Sequence, residues 1–274
     1  MVKRVSYLGP EGTWSELCSK LWFPEYEPVP CTSFEEAVDR TETGQSDICV
    51  IPMENSTEGP VTQVMDIITD SPLLITGEKI MNIRHSLLSN SSEIKRIYSH
   101  PQAIAQCRKT IHKLYPLAMI EPVSSTAKMW KEASSDQGTA IIGSPLIASM
   151  YKIKIINNDV SDYPLNLTRF VSLCRSTKES RGNTKASLYF SLSNDGPGTL
   201  VSAIRPLSER GIKLSMITSI PNKNYPGTYN FFIDCTDFQN IEKLYEAMDE
   251  MKHICSVLKI KGIYERSEWN RPDF

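Results

Sequence analysis

Lys3-Arg4-Val5-Ser6-Tyr7-Leu8-Gly9-Pro10-Glu11-Gly12-Thr13-Trp14-Ser15-Glu16 joins an apolar strand, a Gly/Pro turn and the start of a helix. Thr13 followed three residues later by Glu16 is a capping-box signature. Leu17, Leu21 and Trp22 then recur at helical spacing. The stretch therefore predicts one strand-to-helix unit.

The same unit recurs four more times along the first part of the chain. The predicted strands lie at 47–52, 95–98, 117–120 and 139–142, and helix starts follow at 54–60, 99–101, 124–126 and 143–145. Strands that alternate with helices predict an α/β fold with mostly parallel sheets. In such folds ligands bind beyond the carboxyl ends of the strands, where the next helices begin.

The predicted helix starts share small polar side chains, namely Thr13, Ser56, Ser99, Thr126 and Ser144. Each one alone is an ordinary helix N-cap. Together with the free N–H groups of the helix starts, they predict a rim of neutral hydrogen-bond donors suited to a small polyanion.

Asn166-Leu167-Thr168-Arg169-Phe170 places an amide, a hydroxyl and a guanidinium just before the apolar-rich run 170–173. Alone it is typical of an ordinary strand entry, with a Thr of good strand propensity. If this strand faces the donor-rich rim, its polar side chains become candidate catalytic and binding groups.

Composition excludes several classes of function. The 30 Lys and Arg against 32 Asp and Glu give a formal net charge of −2, so nucleic acid and anionic membranes are not expected partners. The N-terminus has neither a signal-peptide nor a membrane-span pattern. Seven scattered cysteines and four unclustered histidines predict reduced thiols in a cytoplasmic protein, with no metal site.

Two crossings, near 75–81 and 159–166, suggest that the chain leaves one lobe and returns to it, as in hinged binding proteins. We expect one lobe of 1–78 with 160–178 and a second of 79–159, together forming a catalytic domain of 1–178. The polar stretch 176–184 reads as a linker. Residues 186–266 then follow a βαββαβ order, which predicts an α+β ferredoxin-like domain.

In their order, these motifs resemble the prephenate dehydratases that carry a C-terminal ACT regulatory domain. The matching segments span nearly the whole chain. They are 9–15, 52–56 with Gly59, 99–103 with 106–107, 125–127, 142–144, and Asn166 with 168–170, and in the C-terminal part 196–201 and 211–214. Enzymes of this family need no cofactor, so the resemblance implies none here. The resemblance implies a periplasmic-binding-protein-like, two-lobed catalytic domain followed by an ACT domain.

The resemblance implies conversion of prephenate to phenylpyruvate, with loss of water and carbon dioxide, in phenylalanine biosynthesis. It assigns residues to this carbon–oxygen lyase by matching position. Thr168, Glu54, Asn55, Ser99 and Gln106 would form the catalytic group, and Thr13, Ser56, Thr126, Arg169 and Phe170 would bind substrate. His85 and His100 match family positions too, and we expect them to pack around the pocket.

The chemistry of the reaction suggests roles for these groups. A hydroxyl such as Thr168 can donate to the departing oxygen and stabilise the charge that develops there. Arg169 is a natural bidentate partner for a carboxylate. Glu54 is either a catalytic acid or a carboxylate favoured by a helix N-terminus. A substrate carboxylate held by neutral dipoles rather than cations is less stabilised, which would favour its loss.

The C-terminal part departs from the family in one motif. Residues 198–201 (Gly198, Thr199, Leu200 and Val201) resemble the first loop of the phenylalanine site, but the Glu-Ser-Arg-Pro signature reads Thr218-Ser219-Ile220-Pro221 here. Ser219 and Pro221 are kept, whereas both charged members are absent. Inhibition by L-phenylalanine is therefore an open question.

Three alternatives remain open from the sequence. The chain could be an arogenate dehydratase, a non-catalytic sensor of aromatic or amino acids, or a decarboxylase without dehydration. The Thr168-Arg169 pair argues against the sensor, and the Thr168 donor argues against the decarboxylase. Because an exposed edge of the ferredoxin-like sheet invites pairing, we expect a homodimer or homotetramer.

Overall fold

The computed structural model describes residues 2–124, 126–135, 138–176, 184–238 and 240–268. Ser125 and most of the predicted linker, 177–183, lie outside the described residues. The described residues build three sheets, which define a first lobe, a second lobe and a C-terminal domain. In this part of the chain no helix is long and apolar enough to cross a bilayer.

The first lobe is a mixed sheet in the order β2-β1-β3-β11-β5, with β4 paired to β3. Its strands are β1 (Arg4–Leu8), β2 (Glu27–Cys31), β3 (Ile48–Asn55), β4 (Gly59–Pro60), β5 (Leu74–Asn82) and β11 (Leu167–Cys174), and its helices are α1 (Trp14–Trp22), α2 (Phe34–Glu42) and α3 (Thr62–Asp70). Alternate residues of β11 pack on opposite faces, with Phe170 in one apolar cluster and Val171 and Leu173 in another.

The helix predicted after 54–60 is present, with Val64, Met65 and Ile68 buried as expected, but its predicted start is wrong. Strand β3 continues to Asn55 and turns back into β4, and α3 begins only at Thr62. The Asn55 side-chain oxygen accepts hydrogen bonds from the backbone N–H groups of Thr57 and Glu58, and Gly59 has a φ of +82°. These features favour a tight turn over a helix, so Ser56 lies in a hairpin turn.

The second lobe is a five-stranded sheet in the order β10-β6-β9-β7-β8. Its elements are β6 (Ser86–Leu88), β7 (Arg96–Ser99), α4 (Pro101–Leu114), β8 (Met119–Pro122), a 3-10 helix (Thr126–Met129), α5 (Trp130–Ser135), β9 (Thr139–Gly143), α6 (Pro145–Tyr151) and β10 (Ile155–Asn157). Its apolar clusters, around Ile97 and Ile141, contain no residue of the first lobe among the described residues.

The two lobes are joined by two neighbouring chain segments, 83–85 and 158–166. Ile83 N donates to Asn166 O at 2.7 Å, so the segments run side by side. The boundary predicted at 79 falls inside β5, which belongs to the first sheet up to Asn82. The two-lobed α/β prediction is confirmed, with the crossing a few residues later than expected.

The C-terminal domain is a four-stranded antiparallel sheet in the order β13-β14-β12-β15. Its elements are β12 (Thr184–Leu192), α7 (Thr199–Glu209), β13 (Lys213–Pro221), β14 (Tyr229–Thr236), α8 (Ile241–Met251) and β15 (Cys255–Glu265). The predicted βαββαβ order is confirmed. Helices α7 and α8 cover one face of the sheet, and the other face packs on the first lobe through Ile220, Phe232 and Tyr264.

Candidate active site

A cavity of about 670 Å³ lies between the two lobes. Helix starts of both lobes contribute to it, as do the hairpin turn after β3 and the entry of β11. Of the predicted site residues, those that line it are Thr13, Asn55, Gln106, Thr126, Thr168 and Phe170. No Lys or Arg is among the described residues that line the cavity.

Thr168 is held by Asn55 on the neighbouring strand. The two residues are register partners, and Asn55 Nδ2 donates to Thr168 Oγ1 at 2.8 Å. The Asn55 amide orientation is fixed because its Oδ1 accepts from the N–H groups of Thr57 and Glu58. Thr168 Oγ1 is therefore an acceptor in this pair, and no described group accepts the hydroxyl hydrogen. That hydrogen is available to a ligand in the cavity.

A β-bulge makes this pairing possible. Arg169 pairs with Glu54 and Phe170 pairs with Pro52, so Met53 is an extra residue in β3. Bulges re-aim side chains next to sites in sheets. Here the extra residue brings Asn55 level with Thr168 while Phe170 stays in the apolar cluster below.

A hydrogen-bond network continues from Asn55 across the cleft. Asn55 Nδ2 also donates to Asn166 Oδ1, and Asn166 Nδ2 donates to Gln106 Oε1 at 2.9 Å. Gln106 Nε2 donates at 2.8 Å to the carboxylate of Glu58, which also accepts from Gln102. Since Glu58 belongs to the first lobe and both glutamines to the second, the network bridges the lobes.

His85 completes the network in its neutral form. Its Nε2 lies 2.8 Å from Gln106 Oε1, which can only accept, so Nε2 carries the hydrogen. Burial lowers the pKa of His85, and the buried Nδ1 has no partner among the described residues. A protonated ring would bury an unpaired N–H, which adds to the cost of charging it.

Small hydroxyl groups support the helix starts around the cavity. Thr13 Oγ1 accepts from Glu16 N at 3.3 Å, which confirms half of the predicted capping box. Thr126 Oγ1 accepts from His100 N at 3.0 Å. Ser144 Oγ donates to Gly12 O at 2.6 Å, from the second lobe to the first. The cavity wall thus presents neutral dipoles and helix N-termini, together with the carboxylate of Glu58 that the two glutamines bind.

Comparison with known proteins agrees with this arrangement. The family model for prephenate dehydratase matches residues 5–178. This chain belongs to the prephenate dehydratase family. It is 33% identical over 273 residues to a prephenate dehydratase of Methanocaldococcus jannaschii, covering 96% of this chain and 98% of that one. These matches confirm the family predicted from the sequence, whose enzymes are lyases.

Two further relatives extend the comparison. A prephenate dehydratase of Arthrobacter aurescens, solved in complex with L-Phe, is 30% identical with a TM-score of 0.88, covering 99% of this chain and 92% of that one. An arogenate dehydratase/prephenate dehydratase of Arabidopsis thaliana is 32% identical over 278 residues, covering 95% of this chain and 72% of that relative.

Two of the predicted residues in this family's pattern, Ser99 and Ser56, do not line the cavity. Ser99 is fully buried, donates to Ile142 O at 2.7 Å and lies 3.2 Å from Thr126 Oγ1. Ser56 Oγ accepts from Leu167 N at 2.9 Å, and Ser56 N donates to Leu167 O. Ser99 supports the second-lobe rim, and Ser56 holds the entry of β11.

The structure contradicts the expectation that Arg169 binds a substrate carboxylate. Successive residues of a strand point to opposite faces, so Arg169 faces away from the cavity that Thr168 lines. Its side chain is 1% exposed and bonds to Glu78 and Asp234. Glu54 lies 3.7 Å from the same guanidinium, outside the cavity lining. Burial holds the pKa of Glu54 above its ordinary value, and the nearby Arg169 offsets only part of this effect.

Sequence reasoning missed the bridging role of Glu58 and Gln102, and it gave His85 only a packing role. The spacing of Gln102 and Gln106, four residues apart on α4, could have indicated that both face one partner. Their partner Glu58 lies 44 and 48 residues away, and nothing local in the sequence indicates that pairing.

The predicted effector residues gather at one end of the C-terminal sheet. Asn230 of β14 is the register partner of both Ser191 at the end of β12 and Ile220 near the end of β13. Gly198, at the N-cap of α7, follows the first of these strand ends, and Ser219 and Pro221 flank Ile220. Ile220 itself is buried in the apolar contact with the first lobe.

Proposed function

We propose that this protein catalyses the decarboxylating dehydration of prephenate to phenylpyruvate. Its membership of the prephenate dehydratase family supports the reaction. The observation that carries the proposal is the Asn55–Thr168 pair, because it leaves the Thr168 hydroxyl hydrogen free to face a ligand in the cavity. Asn55, Gln106, Thr13, Thr126 and Phe170 form the surrounding wall, with Ser99 behind it.

The reaction removes the ring hydroxyl and one carboxylate together. As the carbon–carbon bond to the carboxylate breaks, its electron pair enters the ring, carbon dioxide leaves, and the carbon–oxygen bond to the hydroxyl breaks. Thr168 donates to this departing oxygen, which leaves as water once it gains a proton. The Asn55 N–H stabilises the negative charge that develops on Thr168 Oγ1 as its hydrogen moves away.

The charge of the cavity supports the choice of reaction. Prephenate carries two carboxylates, yet no Lys or Arg is among the described lining residues. Helix starts and neutral hydroxyl groups can hold the anions without the strong stabilisation that a cation gives. The carboxylate that leaves is then less favoured in its charged form. A substrate complex with both carboxylates paired to Lys or Arg would contradict this part of the proposal.

The direct test is turnover by the purified protein, with prephenate and arogenate assayed side by side. Phenylpyruvate formed from prephenate is the expected product. Phenylalanine formed only from arogenate would identify the sister activity, which the name of the Arabidopsis relative suggests. Absence of turnover of both substrates, with either one bound, would favour the non-catalytic sensor.

Variants of adjacent residues test the roles assigned within the site. We expect Thr168→Ala to lower kcat about 10²–10³-fold, the usual loss for a donor to a developing oxyanion. Thr168→Ser keeps the hydroxyl and should retain most activity. Glu54→Gln is a comparison on the opposite face, and because Glu54 lies 3.7 Å from Arg169 it should lower kcat by less than about tenfold. An equal loss in Thr168→Ala and Glu54→Gln would contradict the assignment.

We propose that L-phenylalanine, if it acts at the C-terminal domain, binds weakly at residues 198–201, Ser219 and Pro221. The altered motif lacks both charged members, and Ile220 packs against the first lobe instead. Isothermal titration with L-phenylalanine should show no saturable binding at micromolar concentrations. Tight binding would contradict this.

Pairing of two chains through the edge strands β13 and β15, into a dimer or a tetramer, stays a prediction that sedimentation analysis can test.

A further inference from the structure

The guanidinium of Arg169 joins the catalytic strand to the C-terminal domain. Its Nε donates to Glu78 of β5 at 2.6 Å, and its Nη1 donates to Asp234 of β14 at 2.6 Å. Its Nη2 donates to the hydroxyl of Tyr264 on β15 at 2.8 Å. Two of these three partners belong to the C-terminal domain, and Arg169 directly follows Thr168.

Arg169, Glu78 and Asp234 form a buried ion cluster with Lys185, and the partly exposed Glu54 lies at its edge, 3.7 Å from Arg169. Lys185 Nζ donates to Glu78 at 2.8 Å, so two cations meet two carboxylates, all at most 4% exposed. Ser187 Oγ donates to Asp234 and lies 2.7 Å from Tyr264 Oη, which leaves Tyr264 as the donor of that second bond. Each oxygen of Asp234 thus has a fixed partner.

The backbone ladder between β11 and β3 is interrupted at this place. The register with β3 shifts between Arg169 and Phe170, at the Met53 bulge. A bulge leaves a residue unpaired and disrupts the ladder locally. The anchored guanidinium therefore contributes to holding the backbone where Thr168 must aim its hydroxyl.

We propose that the C-terminal domain positions Thr168, with Asp234 and Tyr264 acting through Arg169. These two are positioning residues, since neither lines the cavity. The inference rests on the proposed function of Thr168. Because a displacement of about 1 Å in a reacting group can cost about 100-fold in rate, loosening Arg169 should lower kcat while substrate binding changes little.

Kinetics of three variants test this. Tyr264→Phe removes one neutral partner of Arg169, and we expect kcat to fall about tenfold. Asp234→Asn removes a charged partner, and we expect a fall of about 100-fold. KM should stay within about threefold of wild type in both, with kcat expressed per folded protein, because partial unfolding also lowers the apparent kcat at constant KM. Lys223→Ala breaks the exposed pair with Asp66, which joins the same two domains at 3.0 Å, and should leave kcat unchanged.

The outcomes separate this inference from the proposed function. Suppose that the wild type turns over prephenate. The inference is then overturned if folded Tyr264→Phe keeps the kcat of the wild type, and also if its KM rises while its kcat does not fall. If the wild type has no activity, the proposed function fails, and amide exchange decides the positioning. Faster exchange at 167–171 in Tyr264→Phe than in Lys223→Ala supports it, and equal exchange overturns it.

Discussion

The first lobe meets its two neighbours in different ways. Toward the C-terminal domain it forms one apolar cluster, in which Ile75 and Leu73 pack with Phe232, and beside it lies the buried ion cluster. Toward the second lobe the contacts around the cavity are polar, such as Glu58 with Gln106 and Ser144 with Gly12. No apolar cluster of the described residues joins the two lobes.

This difference separates a permanent contact from one that can open. Undocking the C-terminal domain exposes apolar surface and leaves buried charges unpaired, and both cost free energy. Opening the cleft exchanges a few polar contacts for contacts with water, which changes the free energy little. The candidate site therefore lies at the interface whose opening costs little free energy, and the strand that carries Thr168 is anchored at the other one.

The largest expected effect is a loss of stability when the ion cluster is broken. Glu78→Gln removes the carboxylate that accepts from both Arg169 and Lys185, leaving the two buried cations with Asp234 and with Glu54, which lies 3.7 Å from Arg169 at the edge of the cluster. We expect the free energy of unfolding to fall by about 3–5 kcal/mol, measured by chemical denaturation. Glu246→Gln, which breaks an exposed pair with Arg210, is the control and should cost less than about 1 kcal/mol. Equal losses would show that the cluster does not anchor this interface.

The alternation of side chains along β11 can be predicted from the sequence, and it contradicts the prediction that Arg169 and Thr168 face the same ligand. Once 166–170 is read as a strand, period two places Thr168 and Arg169 on opposite faces. An arginine beside a catalytic threonine suggested an anion site because Arg pairs well with carboxylates. Its true partners, Asp234 and Tyr264, lie 65 and 95 residues away. No local pattern indicates contacts of that range.

The repeated strand-to-helix units predicted most of the fold for a physical reason. Apolar period and capping residues act locally, so β1, β7 and β9 and the helices after them were predictable. Strand β2 and helix α2, at 27–42, were not predicted, since the prolines at 28 and 30 obscure a strand pattern. The hairpin at Asn55 was missed because its turn depends on a side-chain bond to the backbone.

A buried lysine gives the C-terminal interface a pH dependence. Burial lowers the pKa of Lys261 to about 8, from 10.5, and its Nζ donates to Ser71 O of the first lobe at 2.7 Å. The unfolded chain therefore binds more protons than the folded one between pH 8 and 10.5. The free energy of unfolding therefore rises with pH across that window, because Lys261 loses its charge and the cost of burying that charge disappears.

Lys261→Met isolates this effect from other titrating groups. We expect the unfolding free energy of the wild type, relative to the variant, to increase by about 2 kcal/mol as the pH rises from 7 to 10. Denaturation of both proteins at each pH measures it. A difference that stays constant, or that moves in favour of the variant, would mean that Lys261 is not buried as a charge at this interface.

The smallest effect should come from removing one hydrogen bond across the cleft between the two lobes. Ser144 is the N-cap of α6 but makes no side-chain capping bond, and among the described residues its hydroxyl bonds to Gly12 across the lobes. Ser144→Ala should disfavour the closed cleft by about 1 kcal/mol, which raises KM about fivefold. The unfolding free energy should change by less than about 1 kcal/mol, since each lobe keeps its own core. Ser149→Ala, whose hydroxyl bonds within the same helix, should change neither quantity. If Ser144→Ala destabilised the protein as much as Glu78→Gln, the lobes would form a permanent contact, and the distinction between the two interfaces would fail.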